Sequence, residues 1–327
     1  MSSNDETRSA LLRASKPPTK QLFSTLITAN HILHHQNIVD AYGHISVRNP
    51  QNPATFFLSR SLAPALVSKR EDIEEYYVEN AEPVDKDASK GYAERFIHSE
   101  VYKMYSGVHS VVHAHNEATL PFGVSSVPLR PVYHMAGVMG PQVPIYDISL
   151  HYRSSDELHS LLVTNSHLGE ALAAGFNPST NFSKATSMIK SYLISQSTKS
   201  SPPSFPPNPT VLMRGHGFTC IGTSIEESVY RAIYTCANAR VQTTALLMQN
   251  SYNTGLLAER FGWKEDNPGQ AGAAKQEGIK FLSERESKDS WKGLGKHIER
   301  PWELWCREVQ QVALYSNELQ ENDDDDS

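Results

Sequence analysis

The chain has 327 residues, 39% hydrophobic and 20% charged, a length and balance that suit a globular protein with a sizeable core and exclude a disordered or fibrous one. Its net charge is −6, yet Glu318, Glu321 and Asp323 to Asp326 crowd into the last ten residues, so the body is neutral. A neutral body without a basic stretch excludes nucleic acid and anionic membrane surfaces as partners, and no run of about 18 apolar residues is present to cross a bilayer.

Three cysteines, Cys220, Cys236 and Cys306, form no CxxC pair, which argues against a disulfide framework and for a reducing, cytoplasmic setting. Residues 1–19 are polar, lack a signal-like apolar run and close on Pro17-Pro18, so a disordered lead-in is expected. From Gln21, Leu22, Leu26, Ala29 and Leu33 recur with helical spacing on one face, ending before Gly43. Short strands are expected over His44 to Arg48, Thr55 to Leu58 and Glu75 to Glu79. A helix follows over Glu94 to Tyr105, broken by Gly107, and then a β-branched strand over Val108 to Ala114.

Beyond a Pro/Gly-punctuated stretch from Pro121 to Pro144, a helix is expected over about Ser155 to Ala174. Residues 177–209 read as a surface insertion with a short helix near Ser187 to Ser195, because the Pro202-Pro203 and Pro206-Pro207 pairs interrupt any regular element. Val211 to Met213 and Phe218 to Ile221 are strands around the turn Gly215-His216-Gly217. Ser224 and Glu227 form a capping box that opens a helix to about Gln249. Alternating strands and helices favour one α/β domain over 20–250, with a C-terminal extension over 251–327 that carries Trp291, Trp302, Trp305 and the acidic tail.

The chemistry gathers in three places. In Val112-His113-Ala114-His115 the strand period of two puts both imidazoles on one face, where they can offer nitrogen ligands to a divalent metal. His216, flanked by glycines, can turn tightly toward the same ion as a third ligand, which leaves an open position for substrate. Glu94 opens a helix with His98 one turn on, and a carboxyl group held beside a metal can carry a proton at neutral pH. Each feature alone also fits a packed or surface side chain. His34-His35 reads as solvent-facing, and His134 fits a place lining the site or an ordinary core or interface position.

Taken together, Glu94-Arg95-Phe96-Ile97-His98, Val112-His113-Ala114-His115 and Met213-Arg214-Gly215-His216-Gly217 resemble, in order and spacing, the class II aldolase/adducin family, across roughly residues 20–250. The resemblance implies an α/β/α sandwich around a mostly antiparallel sheet, assembled as a homotetramer with sites near subunit interfaces. It implies that His113, His115 and His216 bind a divalent metal (Zn, Mn or Fe) and that Glu94 moves the proton. It also implies a C-terminal tyrosine reaching a neighbour's site, with Tyr252 and Tyr315 as candidates.

Sugar-phosphate aldolases of that family carry Gly-Asn in the first loop and Ser-Ser before the catalytic Glu. Here the places hold Gly43-His44 and Tyr92-Ala93, which disfavours a phosphorylated sugar. The motifs Tyr42 to Arg48, Leu58-Ser59-Arg60-Ser61 and Glu94 to His98 resemble the family's aromatic-acid decarboxylases, including those acting on hydroxylated pyridine or phthalate dicarboxylates. The expected reaction is decarboxylation of a small hydroxylated aromatic or heteroaromatic acid. Arg60 is expected to clamp a carboxylate, Ser59, Ser61 and His44 to add donors, and Tyr92 or Tyr133 to pack on the ring. Three other readings stay open: an aldolase on a non-phosphorylated substrate, an iron-dependent oxygenase, and an adducin-like assembly module without metal.

Overall fold

The computed structural model describes residues 20–89, 91–154, 158–177, 203–253 and 278–320. The expected lead-in, the helix near 187–195 and the end of the acidic tail lie outside the described residues.

The chain runs α1 (Lys20–His35), β1 (His44–Arg48), β2 (Thr55–Ser59), β3 (Ile73–Tyr77), α2 (Arg95–Met104), β4 (Ser110–Ala114) and the short α3 (Leu120–Val124). It continues through β5 (Ile145–Tyr146), α4 (Ser166–Gly175), β6 (Thr210–Met213), β7 (Gly217–Gly222), α5 (Ile225–Asn253), α6 (Glu284–Leu294) and α7 (Glu299–Gln310). The seven strands form one sheet in the order β3-β2-β1-β4-β7-β6-β5. Every pairing is antiparallel except β5 with β6.

Both faces of the sheet are covered, which makes the α/β/α sandwich. Alternation along the strands assigns the faces. Ile45 and Val47 of β1, Val112 and Ala114 of β4, and Phe218 and Cys220 of β7 join one apolar cluster with α1 and α5. Val111, Ile221, Phe56 and Leu58 join the other, with Ile97 and Val101 of α2 and Leu168 and Leu172 of α4. His44 at the start of β1 and His113 near the end of antiparallel β4 are register partners on this second face. This is where the chemistry lies.

Buried Arg48 locks the frame of that second face. Its guanidinium donates to the carbonyls of Val108 (2.9 Å), Pro53 (2.8 Å), Tyr102 (2.7 Å) and Tyr105 (3.0 Å). Because Tyr102 and Tyr105 end α2, these bonds fasten the helix C-terminus to β1 and so set where its N-terminal residue Glu94 points.

Several expected bounds shift. The third strand lies two residues earlier than expected, since Ile73–Tyr77 pairs with β2 and the chain turns back through Ala81 at φ 59. The helix expected from about Ser155 starts only at Ser166, where the Asn165 side chain accepts from the Leu168 amide; residues 158–165 are not helical and residues 155–157 lie outside the described ones. The capping box forms by half: Ser224 accepts from the Glu227 amide, but the Glu227 carboxylate turns to Thr223 and Arg231.

The C-terminal extension packs on the body through Trp305, whose ring lies 6.4 Å from Tyr230 and 6.5 Å from Tyr234. His34 and His35 are not solvent-facing as expected. Their rings flank Tyr315, whose hydroxyl meets His34 Nδ1 at 2.8 Å. Tyr315 is thereby engaged within its own chain, while Tyr252 is exposed. No helix among the described residues is long and apolar enough to cross a membrane.

Candidate active site

Glu94, His113, His115 and His216 converge so closely that their ligating atoms all lie within 4.8 Å of one another. Three elements deliver them. Strand β4 presents His113 and, one step past its end, His115 on the same side. The turn between β6 and β7 presents His216, and the residue before α2 presents Glu94. Gly215 (φ +65) and Gly217 (φ +155) take backbone conformations that side chains oppose, and Gly217 packs directly on the Ala114 carbonyl between the two β4 histidines. That contact brings His216 across from β4.

The Nε2 atom of His115 lies 2.9 Å from Nε2 of His113 and 2.9 Å from Nε2 of His216. The Glu94 carboxylate sits 3.4 Å from His216, 3.6 Å from His113 and 3.9 Å from His115. Its other oxygen accepts from the Val163 amide at 3.0 Å. The irregular stretch before α4, where Leu161 takes a left-handed φ of 67, allows that approach, and it occupies residues that the sequence pattern assigned to a helix.

Electrostatics match the geometry. Burial opposes charge on Glu94, but His113 and the hydrogen bonds from His115 and His216 outweigh it and hold the carboxyl well below its ordinary range. Burial likewise holds His113 well below the ordinary imidazole value and overcomes the pull of Glu94.

These donors fit a divalent cation. His113 Nδ1 faces the Phe218 carbonyl at 3.1 Å, an acceptor only, so a neutral His113 carries its hydrogen there and aims a lone pair from Nε2 into the cluster. His115 Nε2 meets two imidazole nitrogens at once, and one N–H can serve only one of them, whereas a cation serves all three. Three imidazoles and a carboxylate are a borderline donor set suited to zinc, manganese or iron. Among the described residues His216, unlike His113, has no partner for its buried Nδ1.

The cluster opens on one side. The His115 side chain is 30% exposed against 0% for His113, and it lines a cleft of about 770 Å³ together with Asn37, Asp40, Glu117, Arg240 and Thr244. Tyr42 stands at the same place, 67% exposed, its ring centroid 6.4 Å from that of His115. Among the described residues the Arg240 guanidinium has neither a hydrogen bond nor an ion pair. The sequence reading missed Val163, Tyr42 and Arg240. Only the unusual Tyr42-Gly43-His44 run offered a signal for one of them.

The remaining expected residues divide. His44 is buried beside His113, ring centroids 5.1 Å apart, and Tyr92 packs on its other side at 4.6 Å. The Tyr92 hydroxyl donates to the Leu62 carbonyl and meets Ser59 Oγ at 3.4 Å. The two places where sugar-phosphate aldolases keep amide and hydroxyl donors are thus filled by rings in mutual contact. Arg60 is instead tied to Asp72 at 2.7 Å. Ser61 is exposed, and Tyr133 packs in the α1/α5 layer beside His134.

Comparison with known proteins agrees with this architecture. Residues 24–243 match the class II aldolase and adducin N-terminal domain. The chain is 41% identical over 293 residues to decarboxylase tropJ of Talaromyces stipitatus, covering 90% of this chain and 96% of that protein. Among solved structures, an aldolase II superfamily protein from Pseudomonas syringae superposes with a TM-score of 0.59 at 14% identity, covering 92% of this chain and 96% of that one. An L-fuculose 1-phosphate aldolase from Glaciozyma antarctica gives 0.55 at 16% identity, covering 94% and 99%. The sandwich and the histidine cluster define a class II aldolase fold, and the chain belongs to the class II aldolase/adducin family.

Proposed function

We propose that this protein is a metal-dependent carbon–carbon lyase that decarboxylates a hydroxylated aromatic or heteroaromatic carboxylic acid. The observation that carries the reading is the convergence of three imidazole Nε2 atoms and one carboxylate at the foot of an open cleft. The identity to a relative named as a decarboxylase, and the rings at His44 and Tyr92, favour an aromatic acid over a sugar phosphate.

His113, His115 and His216 would hold the ion, with Glu94 beside them. When bound, a divalent ion supplies Lewis acidity for the enolate-like charge left on the substrate as carbon dioxide departs. Glu94, ionised at rest, takes the proton of the substrate hydroxyl. It returns that proton to the ring carbon as the carbon–carboxylate bond breaks. The Val163 amide keeps one carboxylate oxygen fixed, so the other does the proton work. His44, Ser59 and Tyr92 form the wall beside His113. Arg60 is committed to Asp72, so in this reading the substrate carboxylate is recognised from the cleft by Arg240.

The exposed apolar side chains Val241, Met248 and Tyr252 on α5 support assembly with further copies, in keeping with a homotetramer. The free thiols Cys220, Cys236 and Cys306 support a reducing compartment such as the cytoplasm.

The test screens the purified protein against hydroxylated aromatic and heteroaromatic acids for carbon dioxide release, with its metal content measured in parallel. Glu94→Gln keeps the Val163 contact but removes the proton carrier, and a loss of about 100-fold or more in kcat is expected. His113→Ala is expected to lose both the ion and turnover. Survival of turnover in both variants would overturn the reading.

A further inference from the structure

Beside the metal-centre cluster runs a second hydrogen-bonded line of side chains, of which the proposed chemistry uses only the last, His44, as a wall. Tyr102 Oη lies 2.7 Å from Ser46 Oγ, Ser46 Oγ lies 2.6 Å from His98 Nδ1, and His98 Nε2 lies 2.7 Å from His44 Nδ1. All four residues are buried, with exposures between 0% and 3%. The line crosses from α2 to β1 twice and ends at the imidazole that packs against His113.

Its polarity follows from counting hydrogens. The Tyr102 phenol has one, and Ser46 Oγ is its only side-chain partner among the described residues, so Tyr102 donates to Ser46. The single hydrogen of Ser46 is then available for His98 Nδ1, which accepts. A neutral His98 therefore carries its hydrogen on Nε2 and donates it to His44 Nδ1. His44, neutral in turn, is left with its hydrogen on Nε2. A charged His98 would turn a second N–H onto Ser46 Oγ and strand the serine hydrogen, and a charged His44 would set N–H against N–H, so the hydrogen count itself keeps both rings neutral. The reverse order would strand the phenol hydrogen inside the core, where an unmade hydrogen bond is costly.

We infer that Tyr102, Ser46 and His98 are positioning residues that lock His44 in the Nε2–H tautomer, making it a fixed donor for an anionic oxygen of the substrate beside the metal centre. The substrate half of this statement rests on the lyase reading above; the tautomer half does not. A ring that can only donate at Nε2 selects a carboxylate or phenolate oxygen and rejects a substrate group that must itself donate, such as an ammonium. His98 shares a helix face with Glu94 by spacing, yet the bond it makes is to His44, so its part is to orient that ring.

The test labels the histidines of the full-length, zinc-loaded protein with nitrogen-15 and reads their tautomers by long-range proton–nitrogen correlation, without substrate. The expected result is a protonated Nε2 and a bare Nδ1 on His44. A protonated Nδ1 there overturns the inference whatever the substrate proves to be, while failure of the decarboxylation screen leaves the tautomer result standing. In kinetics, Ser46→Ala is expected to lower kcat/KM by about 5- to 10-fold, the net worth of one hydrogen bond, and to yield a mixture of His44 tautomers. Added to His44→Ala, the same change is expected to have no further effect. A full additional loss in the double variant, or an unmixed tautomer in Ser46→Ala, would also overturn the inference.

Discussion

Replacing Gly217 with Ala tests whether close approach of β7 to β4 builds the histidine cluster. A Cβ at this position would sit 2.1 Å from the Ala114 carbonyl oxygen and 3.0 Å from His115 Cα. Ordinary contact begins at 3.4 Å, so the strands must part by more than an ångström, at the very step where His113 Nδ1 meets the Phe218 carbonyl. Overpacking of this kind costs about 1–3 kcal/mol, and holding a non-glycine residue at φ +155 adds about 1–3 kcal/mol more. For a domain of this size each kcal/mol lowers Tm by about 2–4 °C, so a fall of roughly 5–20 °C is expected in a thermal melt. Because His216 and His115 flank the contact, bound metal per chain should fall as well. Gly175→Ala is the control: its Cβ meets only the Val211 side chain at 3.4 Å, and a change within about 1 kcal/mol is expected. A Gly217→Ala protein that melts with the parent and keeps its full metal would refute the reasoning.

Two further outcomes follow from the same geometry. Arg240→Ala should raise KM by about 10- to 100-fold with kcat nearly unchanged, since a charged hydrogen bond worth about 1.5–3 kcal/mol is lost equally from ground and transition states; steady-state kinetics on the identified acid will check this, and an unaltered KM contradicts it. Asp72→Asn should destabilise the fold by about 2–4 kcal/mol, because the buried carboxylate accepts from the Ser68 and Lys69 amides and from Arg60, and an amide cannot face all three. Burial opposes the Asp72 charge, but those donors outweigh it and depress its pKa. Its stabilisation is therefore complete above the unfolded value near ~3.9 and fades as pH falls through the lower folded value. Urea denaturation should show a constant gap between parent and variant from neutral pH down to about pH 5, closing in stronger acid. A gap that persists at the acid end would contradict the assignment.

Much of the sandwich was legible because the strand and helix periods are local. The alternation His44, Ser46, Arg48 against Ile45, Val47 follows from a two-residue repeat, and the first strand is observed with the expected bounds. The start of α4 was not legible. The helical pattern expected before Ser166 gave way to irregular chain over residues 158–165, where the Val163 amide is committed to Glu94, 69 residues away. Spacing also paired Glu94 with His98, but Glu94 stands just before α2 and turns to the histidine cluster, and His98 turns to His44. Arg60 read as a clamp for the substrate carboxylate, but the fold brings Asp72, twelve residues on, against its guanidinium.

By itself, the amino-acid sequence determined which residues share a face: His113 with His115, the leucines of α1, the glycines around His216. Those relations depend only on backbone geometry within a few residues. Only the tertiary structure decided which faces meet, and so gave Glu94 its Val163 amide, His44 its buried line of donors and Arg240 its place at the cleft. The physical reason is that pairing partners, burial and hydrogen-bond direction are set by contacts between distant segments, and these exist only once the layers have packed.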